Sequence, residues 1–165
     1  MMQMFQMNMN HLKLGLLAIF LHFGSPVAAQ DGIALELRGA IDPIDLSLDE
    51  LDAMTQITLE TSTIWTDGLN RFSGVSLKAL LDAQSADGTI LEMIALNDYT
   101  VTMPIADLQA DAPIVATRMN GEAMSIRDKG PFWVIFPYDS GVQFQSEIVY
   151  SRSIWQLKRL VVLAD

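Results

Sequence analysis

Apolar and polar residues alternate along many short stretches of the chain, and helical spacing occurs in only a few. Ile33-Ala34-Leu35-Glu36-Leu37 puts Leu35 and Leu37 on one side and predicts a strand. Asp42-Pro43 marks a turn after it. Ser47-Leu48-Asp49-Glu50 has capping-box spacing, in which the serine oxygen meets the N3 amide and Glu50 reaches back. It predicts a short helix through Met54. Gln56 to Thr63 alternates and is rich in β-branched residues, hence a strand. Asp67-Gly68 reads as the opening of a loop. Leu77, Leu80 and Leu81 share one side of a helix over Ser76 to Ala83, which closes near Asp87-Gly88.

Further on, Thr89 to Leu96 and Tyr99 to Met103 predict two strands around the Asn97-Asp98 turn. Ala106 to Ala110 has room for one helical turn. Ile114 to Met119 predicts a strand, and Asn120-Gly121 is the strongest short hairpin signal in the chain. Phe132 to Phe136 is a continuous apolar run between prolines, suited to a buried strand, and Leu157 to Leu163 predicts a terminal one. Strands outnumber helices and do not alternate strictly with them. The fold class expected is α+β: a mixed β-sheet with short helices.

The mean hydropathy of +0.27 is high for such a pattern, and the start of the chain accounts for it. Met1 to Ala29 contains no acidic residue. His11 and Lys13 precede an apolar stretch, Leu14 to Phe23, and Gly24 and Pro26 break any helix before the small residues Val27-Ala28-Ala29. Residues 1–29 therefore read as a secretory signal peptide, because ten mostly apolar residues fall short of the roughly 20 that span a bilayer. Cleavage leaves residues 30–165 as one domain of 136 residues, in an exported, periplasmic setting. The formal charge then moves from -10 to -11, since Lys13 is the only charged residue removed.

The sequence has no cysteine, and both histidines, His11 and His22, lie in the signal. Disulfides, thiolate metal sites and Ser-His-Asp or Cys-His catalysis are excluded for the domain, and a zinc or copper site is not expected. The acidic balance argues against a duplex nucleic-acid partner. No G-x-G-x-x-G or P-loop pattern occurs. Three clusters remain: Thr61 to Gly68 with Phe72-Ser73-Gly74-Val75; Asn97-Asp98-Tyr99 with Met119-Asn120-Gly121; and Lys129 to Trp133, Pro137 to Ser140 and Tyr150 to Trp155. Each also has a plain reading. The two Asn-containing pairs are turns, Trp133 is core, and Arg152 is either a ligand contact or a balance to an acidic surface.

Taken in order, these clusters resemble the oxidoreductase molybdopterin-binding domain of the sulfite-oxidase fold, over roughly residues 33–163. Ile57-Thr58-Leu59-Glu60-Thr61 is similar to that family's V-T-L-Q-C, whose cysteine ligates molybdenum. Trp65 follows four residues after Thr61, and Phe72-Ser73-Gly74-Val75-Ser76-Leu77 looks like W-x-G-[VF]-x-L. Asn97-Asp98-Tyr99 matches D-G-Y, and Asn120-Gly121-Glu122-Ala123-Met124 matches N-G-x-x-L. Gly130 to Pro137 is similar to the end of H-G-x-P-x-R-L-V-V-P, and Arg152-Ser153-Ile154-Trp155-Gln156-Leu157 to R-S-V-K-W-L.

The departures are specific. Thr61 replaces the metal-ligating cysteine, Trp133 an arginine expected to meet the cofactor's phosphate, and Trp155 a lysine. A protonated hydroxyl does not replace a soft thiolate. The resemblance is closest to small exported proteins of this fold that bind a plain pterin and report it to membrane-bound enzymes of cyclic-di-GMP metabolism. It implies a non-catalytic pterin-binding protein with Thr61, Trp65, Tyr138, Asp139, Ser140, Ser151, Arg152 and Trp155 at the ligand. In that reading Asp139 accepts from two adjacent pterin N–H groups, Arg152 donates to the carbonyl, and Trp65, Tyr138 or Trp155 covers the ring. A molybdopterin-dependent oxidoreductase with unusual coordination, and an interaction module without a small ligand, remain as alternatives.

Overall fold

The computed structural model describes residues 33–164, so the expected signal peptide lies outside the described residues. The order of elements is β1 (Ala34–Gly39), β2 (Ile44–Ser47), α1 (Leu48–Ala53), β3 (Gln56–Thr63), β4 (Thr66–Ser76), α2 (Leu77–Ala83), β5 (Ile90–Ala95), β6 (Thr100–Pro104), β7 (Ile114–Met119), β8 (Glu122–Ala123), β9 (Trp133–Ile135), α3 (Glu147–Arg152) and β10 (Leu157–Leu163). Four 3-10 turns fall among them, at residues 105–107, 126–128, 138–140 and 142–144.

The strands form two five-stranded groups. One sheet runs β2-β1-β10-β5-β6 and is antiparallel except for the β1–β10 pair. The other runs β3-β4-β7-β8, with β9 also paired to β7. Alternation decides which side chains go inside. Leu35 and Leu37 of β1, Leu91 and Met93 of β5 and Leu160 and Val162 of β10 are buried, and their neighbours face outward. β9 and the residues beside it are buried throughout, as a continuous apolar run requires. Leu51 of α1 and Leu77, Leu80 and Leu81 of α2 join the same buried cluster.

Local chemistry sets the ends of these elements. Ser47 Oγ accepts from the Glu50 amide at 3.2 Å, and the Glu50 carboxylate accepts from the Ser47 amide at 2.8 Å, completing the capping box. Asn120 and Gly121 take φ of 54° and 87°, the left-handed pair of a two-residue hairpin turn. The expected loop at Asp67-Gly68 is not there. Both residues belong to the 11-residue strand β4, and the chain reverses instead at Ile64-Trp65. Three threonine and asparagine side chains hold that tighter turn. Thr63 Oγ1 and Thr66 Oγ1 lie 2.7 Å apart, and Asn70 Nδ2 donates to Thr66 Oγ1 and to the carbonyls of Asp67 and Gly68. Strand β2 and helix α3 were not expected from the sequence.

Candidate functional site

The β3–β4 turn places Trp65 beside the C-terminal half of α3 and the segment that leads into β10. Its indole meets four other rings edge-on: Trp133 at 5.9 Å, Tyr138 at 6.2 Å, Tyr150 at 5.9 Å and Trp155 at 5.7 Å. All three tryptophans of the chain are therefore in one cluster. Trp133 is fully buried and donates its Nε1–H to Ser153 O at 3.1 Å, which confirms its place in the core. Trp155 is 39% exposed, and Lys129 Nζ lies 5.4 Å from its ring centroid and 5.7 Å from that of Trp133.

In front of this cluster is a cleft of about 310 Å³. Trp65, Tyr150 and Trp155 line it, together with Ala95, Ile154, Ser151 and Ser153. The β5–β6 turn supplies its other wall, Asn97 and Tyr99. The sequence marks this turn as a candidate cluster with a plain turn reading beside it and does not name it among the ligand residues; the turn is made by that chemistry, with Asn97 Oδ1 accepting from the Tyr99 amide at 3.1 Å and Asp98 at φ 62°. The D-G-Y resemblance was the one signal that pointed to it. The lining holds no acidic or basic side chain.

A second, more polar hollow of about 240 Å³ adjoins the cleft and shares Tyr150 with it. Ser62, Thr63, Ile64, Tyr138, Asp139 and Gln145 complete its wall. Asp139 is exposed, yet its carboxylate is already engaged. Oδ2 accepts from the Ser62 amide at 2.6 Å and Oδ1 from Ser62 Oγ at 2.7 Å. These bonds, the backbone one foremost, hold its pKa below the usual carboxylate value. Thr61 is buried beneath. Its hydroxyl donates to Ser62 O at 3.2 Å and accepts from the Asp139 amide at 3.2 Å.

The structure thus brings Trp65, Ser151 and Trp155 together in the cleft and puts Tyr138 and Asp139 next door. Tyr138 is core rather than lid. It is buried and donates its hydroxyl to Ser153 Oγ at 2.6 Å, and loss of solvent pushes its pKa up to about 12. Ser140 turns back to donate to Pro137 O at 2.7 Å. Arg152 lies on the other side of α3, paired with Asp107 at 3.0 Å, and lines a separate hollow.

The sequence matches no family model and no curated protein. Among solved structures, the chain is similar to the sulfane dehydrogenase SoxCD from Paracoccus pantotrophus, with a TM-score of 0.59 and 18% sequence identity. The match covers 81% of this chain and 38% of that one. The likeness shows the fold: an α+β architecture of the sulfite-oxidase type. A molybdenum cofactor, which that fold family implies, does not fit the donor set at this site. The Thr61 hydroxyl is buried and spent on backbone groups, and no acidic or basic side chain lines the cleft. Among the described residues no group of three or more His, Cys, Asp or Glu side chains is placed to hold a metal ion.

Proposed function

We propose that this protein binds a pterin without acting on it chemically, and that it is exported and works through a membrane-bound partner, of the kind that makes or degrades cyclic-di-GMP. The aromatic cleft carries the reading. Its volume is at the lower end of the roughly 300–1,000 Å³ range of small-molecule sites, which suits a flat bicycle better than a large cofactor. Its walls are indole and phenol rings, and its polar groups are an amide and hydroxyls. An uncharged, planar heterocycle with hydrogen-bonding edges complements such walls. Asp139, kept ionised by Ser62, stands beside the cleft to accept from a pyrimidine edge, because each carboxylate oxygen retains a lone pair beyond its bond to Ser62.

Titration of the purified protein with a reduced pterin, followed by tryptophan emission, tests the reading. A ring bound in the cleft touches the cluster that contains every tryptophan of the chain, so saturable quenching is expected. Trp155→Ala is expected to weaken binding at least ~10-fold, and Asp139→Ala to weaken it as well, through the loss of a charged hydrogen bond. The absence of saturation at tens of micromolar, or stoichiometric molybdenum in protein from its native host, would overturn it.

A further inference from the structure

Arg152 points away from the aromatic cleft into a hollow of about 420 Å³ on the opposite side of α3. The two linings share no residue: α3 gives Tyr150 and Ser151 to one, and Val149 and Arg152 to the other. Met103, Leu108, Phe136 and Phe144 supply apolar walls to the second. The side chain of Arg152 is only 19% exposed, so its guanidinium is held in place rather than loose in solvent. Among the described residues it makes one hydrogen bond, from Nη1 to Asp107, whose own side chain is half exposed.

A guanidinium has five N–H donors in a flat fork. Among the described residues no fully buried side-chain nitrogen or oxygen lacks a partner, so the unused donors of Arg152 stay in reach of the solvent that fills the hollow. A fixed cation with unspent donors, set against an aromatic and aliphatic wall, has a specific complement. We propose that this hollow is a second small-molecule site, for an apolar monocarboxylate whose head group takes the Arg152 fork and whose tail covers Phe136 and Phe144. A carboxylate matches the fork with two parallel bonds. One negative charge suits the place better than two, because Asp107 stands beside the fork and the whole chain carries a formal charge of -10. An entering carboxylate displaces a half-exposed aspartate, which water re-solvates at little cost. The site stands or falls independently of the pterin reading.

Sodium octanoate, titrated calorimetrically into the full chain, is the probe. Saturable one-to-one binding is expected, at least ~10-fold tighter than that of octan-1-ol, which has the tail without the charge. Arg152→Gln should weaken it at least ~10-fold. Asp107→Asn should strengthen it, because it frees the fork and leaves the arginine in place; this variant also decides the matter should Arg152→Gln fail to fold. Trp155→Ala should leave octanoate binding unchanged. Lack of saturation, equal binding of the alcohol, weaker binding by Asp107→Asn, or loss of binding in Trp155→Ala, which would put the ligand in the aromatic cleft, would each overturn the proposal.

Discussion

Tyr138 and Ser153 show how one buried hydroxyl pair ties the site's floor together. Tyr138 donates to Ser153 Oγ, and Ser153 donates onward to Val149 O at 2.8 Å, so the 3-10 turn at 138–140 is locked to α3. Burial raises the phenol pKa from 10.0 to about 12, which means the fold favours the neutral form. That stability is complete below pH 10 and is lost as the pH rises toward 12. Urea unfolding measured across this window should show a decline of roughly 3 kcal/mol that Tyr138→Phe abolishes, while the same variant costs about 1 kcal/mol at neutral pH. Asp139 has the opposite sign. Its lowered pKa stabilises the fold above the ordinary carboxylate value, and the contribution disappears as acid titrates the folded group. Asp139→Asn should therefore flatten the acid limb of a plot of Tm against pH. Asp139 was named in the sequence as a ligand contact, but its pairing with Ser62 was not legible there. Ser62 and Asp139 are 77 residues apart, and only the packing of the 138–140 turn on β3 brings them together.

At the scale of elements, local chemistry is strong enough to test directly. Ser47→Ala removes the N-cap oxygen of α1 and should cost about 1 kcal/mol in thermal unfolding. Gly74 is governed by a neighbour. A Cβ there would stand 2.0 Å from Val115 O, at the point where the β4–β7 register shifts. The obstacle is backbone and cannot rotate away, so Gly74→Ala should destabilise by about 3 kcal/mol, the upper end for an overpacked site. The readable elements were those whose determinants are local: the capping box of α1, the alternation of β3, the Asn120-Gly121 turn and the leucine stripe of α2. β4 was misread because Asp67-Gly68 has turn composition, whereas the hairpin pairing on either side of them, Thr66 with Thr63 and Leu69 with Ser62, carries both residues in the strand as a bulge. α3 was missed because it is one and a half turns long and carries β-branched Ile148 and Val149. Its serine cap, Ser146 accepting from the Val149 amide at 3.3 Å, lacks the Glu or Gln at N3 that completes a capping box. The aromatic cleft was half legible for the same reason. Trp65 and Trp155 were named from motif order, while Asn97 and Tyr99 reach it only because β5 and β6 pair beside β10.

The whole molecule carries 20 acidic residues against 10 lysines and arginines. Several cations are already committed, Arg38 to Asp45, Arg118 to Asp52 and Arg159 to Glu36, so the remaining acidic surface repels itself. Raising the salt concentration from ~0.01 to ~0.15 M shortens the Debye length from about 30 to about 8 Å, and Tm should rise across that range. There is no disulfide to hold the chain together, which gives the strand order unusual weight. β10 sits at the centre of its sheet, with the β1–β2 hairpin on one side and the β5–β6 hairpin on the other. It also follows all the other described strands in sequence order. Until Leu157–Leu163 is in place, the two hairpins have nothing to join them, and Leu35, Leu37, Leu91 and Met93 have no neighbour on that flank. The sheet therefore closes late, through contacts that are distant in sequence and slow to form. Loss of β10 would leave two separate hairpins on that sheet, each too small to persist in water by itself.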